Sequence, residues 1–179
     1  DDHLQLLTSG LSTAPPRQQT LHATIEWSYR LLDRTEKAIL NQLSVFRGGF
    51  PLEAAEQVVS GAGIAPRQVI PVVANLVDKS LLTTYETRLG TRYRLLESVR
   101  QYASHRFEET ADTTTIYRRH QRWCLALIND LWERAVGTGQ SDLTEALESE
   151  SDNLRAALDW SRTASDHPAV VVLSQALGW

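Results

Sequence analysis

Between Ser80 and Leu96 the chain leaves helical periodicity for strand-like texture, and this one interruption constrains the fold more than any other feature. Leu82 to Thr87 and Arg92 to Leu96 are rich in Thr, Tyr and Leu, with Gly90 in the bend between them, which predicts a two-stranded hairpin. The stretches before it are helical but cut short. Asp33 and Thr35 open a helix with Glu36 in its first turn and Ile39, Leu43 and Phe46 on one face, and Gly48-Gly49 is expected to stop it. Pro51 suits the first turn of the next helix, whose stripe of Leu52, Ala55, Val58 and Val59 ends near Gly61 and Gly63. A third carries Val73, Leu76 and Val77. Pro71 is expected in its first turn, because a proline deeper inside a helix costs about 3 kcal/mol, so this helix is expected to start late. Helical spacing returns with Leu96, Val99, Ala103 and Phe107. Three short helices followed by a hairpin, within residues 34–108, is the order of a winged helix-turn-helix with a small wing, in a chain of mainly α class.

The flanks differ in kind. Residues 1–33 hold the breaks Ser9-Gly10 and Ala14-Pro15-Pro16, then a short helix expected to be capped by Thr20 and patterned by Leu21, Ile25, Trp27/Ser28 and Leu31/Leu32. In residues 109–179 a polar run, Thr110 to Thr115, precedes the stripe Ile116, His120, Trp123/Cys124, Leu127, Leu131. A second stripe of Leu143, Leu147, Leu154 and Leu158 follows, so an antiparallel helix pair is expected, with a third helix from Ala169 to Trp179. Stacked helices of this sort are the expected start of a helical-repeat (tetratricopeptide-like) domain that continues further.

Composition narrows the class. An apolar content of 42% with 22% charged residues is that of a globular protein, and no apolar run approaches the roughly 20 residues that span a bilayer. No basic-then-apolar leader opens the chain, so a cytoplasmic location is expected. The absence of methionine marks the chain as an expected piece of a longer protein, and 16 Arg against 2 Lys fits a GC-rich genome. Cys124, the one cysteine, falls on an apolar stripe and reads as a small buried hydrophobe. Net charge is −4, but residues 34–108 hold ten Lys and Arg against seven Asp and Glu, a local +3.

Several segments together resemble a known family: Arg17-Gln18-Gln19-Thr20-Leu21 with Trp27-Ser28-Tyr29, Leu43 to Phe50 (LSVFRGGF), Leu76 to Leu81 (LVDKSL), Tyr93 to Ala103 (YRLLESVRQYA) and Asp152 to Leu158 (DNLRAAL). In this order they resemble the region between the nucleotide-binding module and the tetratricopeptide-like repeats of STAND-type (NB-ARC-like) ATPases, the AfsR and LuxR-like actinobacterial regulators. The resemblance implies an upstream P-loop domain binding ATP or ADP, a lid ending near Thr8, a winged helix, and downstream repeats that sense a signal. The motif G-x-x-x-x-G-K-[ST] is absent from this chain, so no ATP hydrolysis is expected of it alone, and no catalytic residue or metal site is assigned. In related NB-ARC proteins a histidine of a Met-His-Asp motif just after the wing touches the phosphates. Here that position is Leu96, within Leu95-Leu96-Glu97.

Two functions compete at the residue level. Direct DNA reading needs Arg, Lys, Asn or Gln on the third helix, and Val69 to Leu81 offers Asn75 and Lys79 with Asp78 opposing them. Lys79 and the wing residues Arg88, Arg92 and Arg94 are the DNA-contact candidates of that alternative. The apolar character of the third helix favours the other reading, a regulatory module coupling nucleotide state to sensor repeats, with DNA bound through another domain. Arg17, after the proline hinge, is the candidate for a nucleotide or interdomain contact. Trp27 and Tyr29 read as core or interface, Arg118, Arg119 and Arg122 as a solvated face, and Glu145, Glu148, Glu150 and Asp152 as solubilising, with Asp152-Asn153 near a helix start or bend.

Overall fold

The computed structural model describes residues 16–61, 63–110, 113–135 and 140–178, with the backbone alone for 16–19, 135 and 140–143. Helix α1 spans Pro16–Arg30, α2 Arg34–Leu43, α3 Leu52–Val59 and α4 Pro66–Asp78; strands β1 (Leu82–Thr87) and β2 (Gly90–Leu95) follow, then α5 (Glu97–Glu108), α6 (Thr113–Ala135), α7 (Gln140–Thr163) and α8 (His167–Leu177).

Two helices reach further toward the N-terminus than expected. Helix α1 is already helical at Pro16, a turn before Thr20, which lies inside the helix and accepts from Thr24 Oγ1 at 2.8 Å through its carbonyl. Helix α4 begins at Pro66, leaving Pro71 inside it. Proline suits a first helical position because its missing N–H would be orphaned there anyway. Pro71 remains tolerable because the carbonyl it leaves without a partner, Arg67 O, is on the exposed first turn. Helix α2 carries a full capping box: Asp33 Oδ1 accepts from Glu36 N–H at 2.8 Å, and Glu36 Oε2 accepts from Asp33 N–H at 2.9 Å. It ends at Leu43, short of the glycine pair, where the Ser44 hydroxyl donates to Asn41 O at 2.6 Å.

Strands β1 and β2 pair antiparallel from Leu82↔Leu95 to Thr87↔Gly90, and Phe50 adds a bridge to Tyr93 on the other side of β2. Phe50 N–H donates to Tyr93 O at 2.9 Å and Tyr93 N–H to Phe50 O at 2.8 Å, which anchors the wing to the loop after α2. The core beneath is built from Ile39, Leu43, Phe46, Phe50, Val58, Val69, Val73, Leu76, Leu82 and Val99. This is a winged helix-turn-helix with a two-stranded wing, followed by helices.

Helices α6 and α7 run antiparallel: Cys124 lies against Asn153 O at 3.7 Å, whereas the earlier Gln121 reaches the later Ser161 at 2.9 Å. Their core of Cys124, Ile128, Leu147, Leu154 and Leu173 is separate from that of the winged helix, and Trp123 packs against both. Asp152 and Asn153 sit in the middle of the continuous α7, not at a helix start or bend. Among the described residues no helix is long and apolar enough to cross a membrane.

Candidate nucleic-acid interface

Helix α4 buries Val69, Val72, Val73 and Leu76 against the winged-helix core and leaves Arg67, Gln68, Ile70, Pro71, Ala74, Asn75 and Asp78 exposed. Because the helix starts at Pro66, Arg67 and Gln68 join the outer face; the late start expected from Pro71 in the first turn, with Val69 to Leu81 as the helix, had left them out. Gln68 is partly engaged at the helix entrance, where its Oε1 accepts from Ala65 N–H at 2.8 Å. The outer face is therefore polar at its N-terminal end and at Asn75, and apolar between.

The four DNA-contact candidates separate by burial and partner. Arg94 is exposed and, among the described residues, has no carboxylate partner. Arg88, on the wing, has a side chain 87% exposed and lies 3.6 Å from Glu145 of α7. Lys79 Nζ is held between both oxygens of Glu36, at 2.6 and 2.8 Å, so it neutralises the buried carboxylate of the α2 capping box. Arg92 is 4% exposed: its guanidinium pairs with Glu150 at 2.7 Å and donates to Gly49 O at 2.6 Å. While α7 stays packed on the wing, it could meet a phosphate only by leaving Glu150 buried without a counter-charge. Of the hinge expected from Ala14 to Arg17, Pro16 and Arg17 lie within α1, while Ala14, Pro15 and the Arg17 side chain are outside the described residues.

Arg92 belongs to a polar network between the wing and α7. Asn153, fully buried, donates from Nδ2 to Gly49 O at 2.9 Å and to Glu150 Oε2 at 2.8 Å, and accepts from Gly48 N–H at 3.3 Å through Oδ1. Gly49 lies tight against the Tyr85 hydroxyl, so a Cβ there would push the Tyr85 side chain aside. Burial works against the charge on Arg92, but the hydrogen bond and charge of Glu150 outweigh it, so its pKa is raised further. His120 sits beside this network with its ring 4.9 Å from Phe46, and burial pushes its pKa down to about 3. Burial likewise pushes the Cys124 thiol up.

Other residues singled out in the sequence take structural positions. Arg118 and Arg122 are exposed, but Arg119 is not solvated: it donates to the carbonyl of Ser60, the residue capping α3. Glu150 of the acidic run is buried against Arg92 rather than solubilising. Tyr29 is tied to Asn41 at 3.0 Å, while Trp27 is 64% exposed on α1. Leu96 is 49% exposed at the start of α5 and offers no polar side-chain atom. A cavity of about 230 Å³ lies where α5 and α7 approach, but its two guanidiniums are already engaged, Arg47 by Asp159 and Arg100 by Glu97. That pairing holds the Glu97 carboxyl down at about 2.

Sequence reasoning missed Asn153, Asp159 and Arg119 as junction residues. No local signal marks them, since each acquires its partner across 59 or more positions of chain.

Residues 32–108 match the family described as a winged helix-turn-helix domain. Over 162 residues, 90% of its length, the chain is 41% identical to a protein of Mycobacterium tuberculosis named "Putative HTH-type transcriptional regulator" and to its Mycobacterium bovis counterpart. It spans only 18% of those proteins. Over 123 residues, 68% of the chain and 31% of the relative, it is 35% identical to an uncharacterized protein of Mycobacterium tuberculosis. No solved structure matches the chain.

Proposed function

We propose that this chain is the winged-helix segment of a transcriptional regulator and that it contacts duplex DNA through the outer face of α4 and the wing. The observation that carries the reading is the early start of α4, which puts Arg67 and Asn75 on one exposed helix. Arg94 and Arg34 add exposed cations without carboxylate partners among the described residues. The family match over residues 32–108 and the similarity to named regulators support it. Base edges are read by residues such as Arg67 and Asn75, and phosphates are held by guanidiniums such as Arg94. The test is fluorescence titration of the chain with duplex DNA between 50 and 200 mM salt. Each phosphate contact contributes about 0.9 to the slope of log K against log salt, so Arg94→Ala is expected to lower the slope by roughly 1. Absence of binding at low salt refutes the reading.

A second reading is favoured by the buried network that ties Gly49 and Arg92 to α7, and by the apolar Ile70, Pro71 and Ala74 on α4. In it the winged helix is a packing and switching element, coupling an upstream nucleotide-binding domain that takes ATP or ADP to downstream tetratricopeptide-like repeats of the same chain. Its mechanism is a rigid-body change between two packings. The isolated chain then neither hydrolyses ATP nor binds DNA, and ATP turnover by the purified chain counts against it.

A further inference from the structure

Of the ten Lys and Arg side chains in residues 34–108, three are ion-paired to carboxylates of one helix outside the winged helix. Arg47 meets Asp159 at 2.9 Å, Arg88 meets Glu145 at 3.6 Å and Arg92 meets Glu150 at 2.7 Å, and all three acids project from α7. Lys79, Arg100 and Arg106 pair with Glu36, Glu97 and Glu109. Arg34, Lys37, Arg67 and Arg94 are without a carboxylate partner among the described residues. The winged helix carries a net +3 in sequence, and the three α7 carboxylates cancel it.

We propose that α7 is an intramolecular anion that masks the winged helix: Glu145, Glu150 and Asp159 occupy arginines that would otherwise meet nucleic-acid phosphates. The proposal rests on the DNA-binding reading above. The masking is graded by burial. The Arg88–Glu145 and Arg47–Asp159 pairs are about half exposed or more and exchange readily with an external anion. Arg92 is released only if α7 separates from the wing, because its side chain and that of Glu150 are 5% and 6% exposed. Anything that pulls α7 away therefore turns a surface whose charge is cancelled into one of net +3, in steps. Repulsion between the remaining α7 carboxylates and the DNA backbone falls at the same time.

The experiment uses the whole chain and a fluorescent random-sequence duplex, titrated between 50 and 200 mM salt. Glu145→Gln and the double variant Glu145→Gln/Asp159→Asn free Arg88 and Arg47 without disturbing the buried pair. Glu148→Gln, an exposed acid of α7 with no wing partner among the described residues, removes the same charge and serves as control. Glu145→Gln is expected to bind about 1.5- to 5-fold more tightly at 50 mM salt, the range for loss of an exposed competing pair. Its salt slope should steepen by about 1, and that of the double variant by about 2. Binding by the variants but not by the parent chain supports masking in its strongest form. Equal gains in Glu145→Gln and Glu148→Gln overturn masking, because a general change of charge then accounts for them. Binding by the parent chain with no gain in any variant overturns masking while the DNA reading stands. If neither parent nor variants bind duplex at 50 mM salt, both fall together. Thermal melting of each variant confirms that the chain is folded at the titration temperature.

Discussion

Replacing Glu150 with Leu would leave the Arg92 guanidinium buried beside Gly49 O with no counter-charge, and replacing Arg92 with Met would strand the Glu150 carboxylate on Asn153 alone. Both side chains are almost wholly out of water, so each single change is expected to cost about 3–5 kcal/mol, the penalty for an uncompensated buried charge. For a chain of this size that is a fall of roughly 6–20 °C in Tm. The double variant, Arg92→Met with Glu150→Leu, removes both charges and fills the space with apolar atoms. Gly49 O keeps its hydrogen bond from Asn153 Nδ2, so no backbone acceptor there is orphaned. Its stability is expected within about 2 kcal/mol of the parent, and the coupling in the double-mutant cycle should be roughly 3 kcal/mol or more. Urea melts followed by tryptophan fluorescence and by far-ultraviolet circular dichroism provide the free energies. Trp123, one of five tryptophans, packs against both cores, so coincident transitions are expected if winged helix and α7 unfold together. Additive single effects would refute the reasoning, as would single variants as stable as the parent, since either means that the pair is solvated.

Four further outcomes follow from local geometry. His120 is neutral in the folded chain, with its pKa pushed down to about 3, whereas an unfolded histidine titrates near 6.5. Between those values the unfolded state binds the extra proton, so stability falls as pH falls: about 2 kcal/mol should be lost between pH 7.5 and 5.0, a dependence that His120→Phe removes. Gly61→Ala should destabilise by about 1–3 kcal/mol in urea melts, because φ is +104° and a Cβ there meets the Arg119 guanidinium. Asp33→Ala should cost about 1 kcal/mol through loss of the α2 cap, while Cys124 should react with a thiol reagent only on unfolding, which labelling with and without denaturant checks.

What the chain's own residues determined is local. The Thr-, Tyr- and Leu-rich texture of Leu82 to Thr87 and the bend at Gly90 specify the wing, and the stripe around Ile39 and Leu43 specifies α2, because strand propensity, helical periodicity and turn chemistry act within a few residues. Where two local rules competed, the sequence was ambiguous. Pro71 argued for a late start to α4, but burial of Val69 outweighed the lost hydrogen bond, and the exposed Arg67 came with the earlier turn. The fate of the arginines was decided by tertiary structure alone. Arg92 and Arg94 are two residues apart on β2 and chemically identical, yet one is buried against Glu150 and the other faces solvent. Composition assigns both the same charge. Only the packing of α7 against Gly48-Gly49, where Asn153 bonds Gly48 N–H and Gly49 O, brings a carboxylate 58 positions away to within 2.7 Å of one of them.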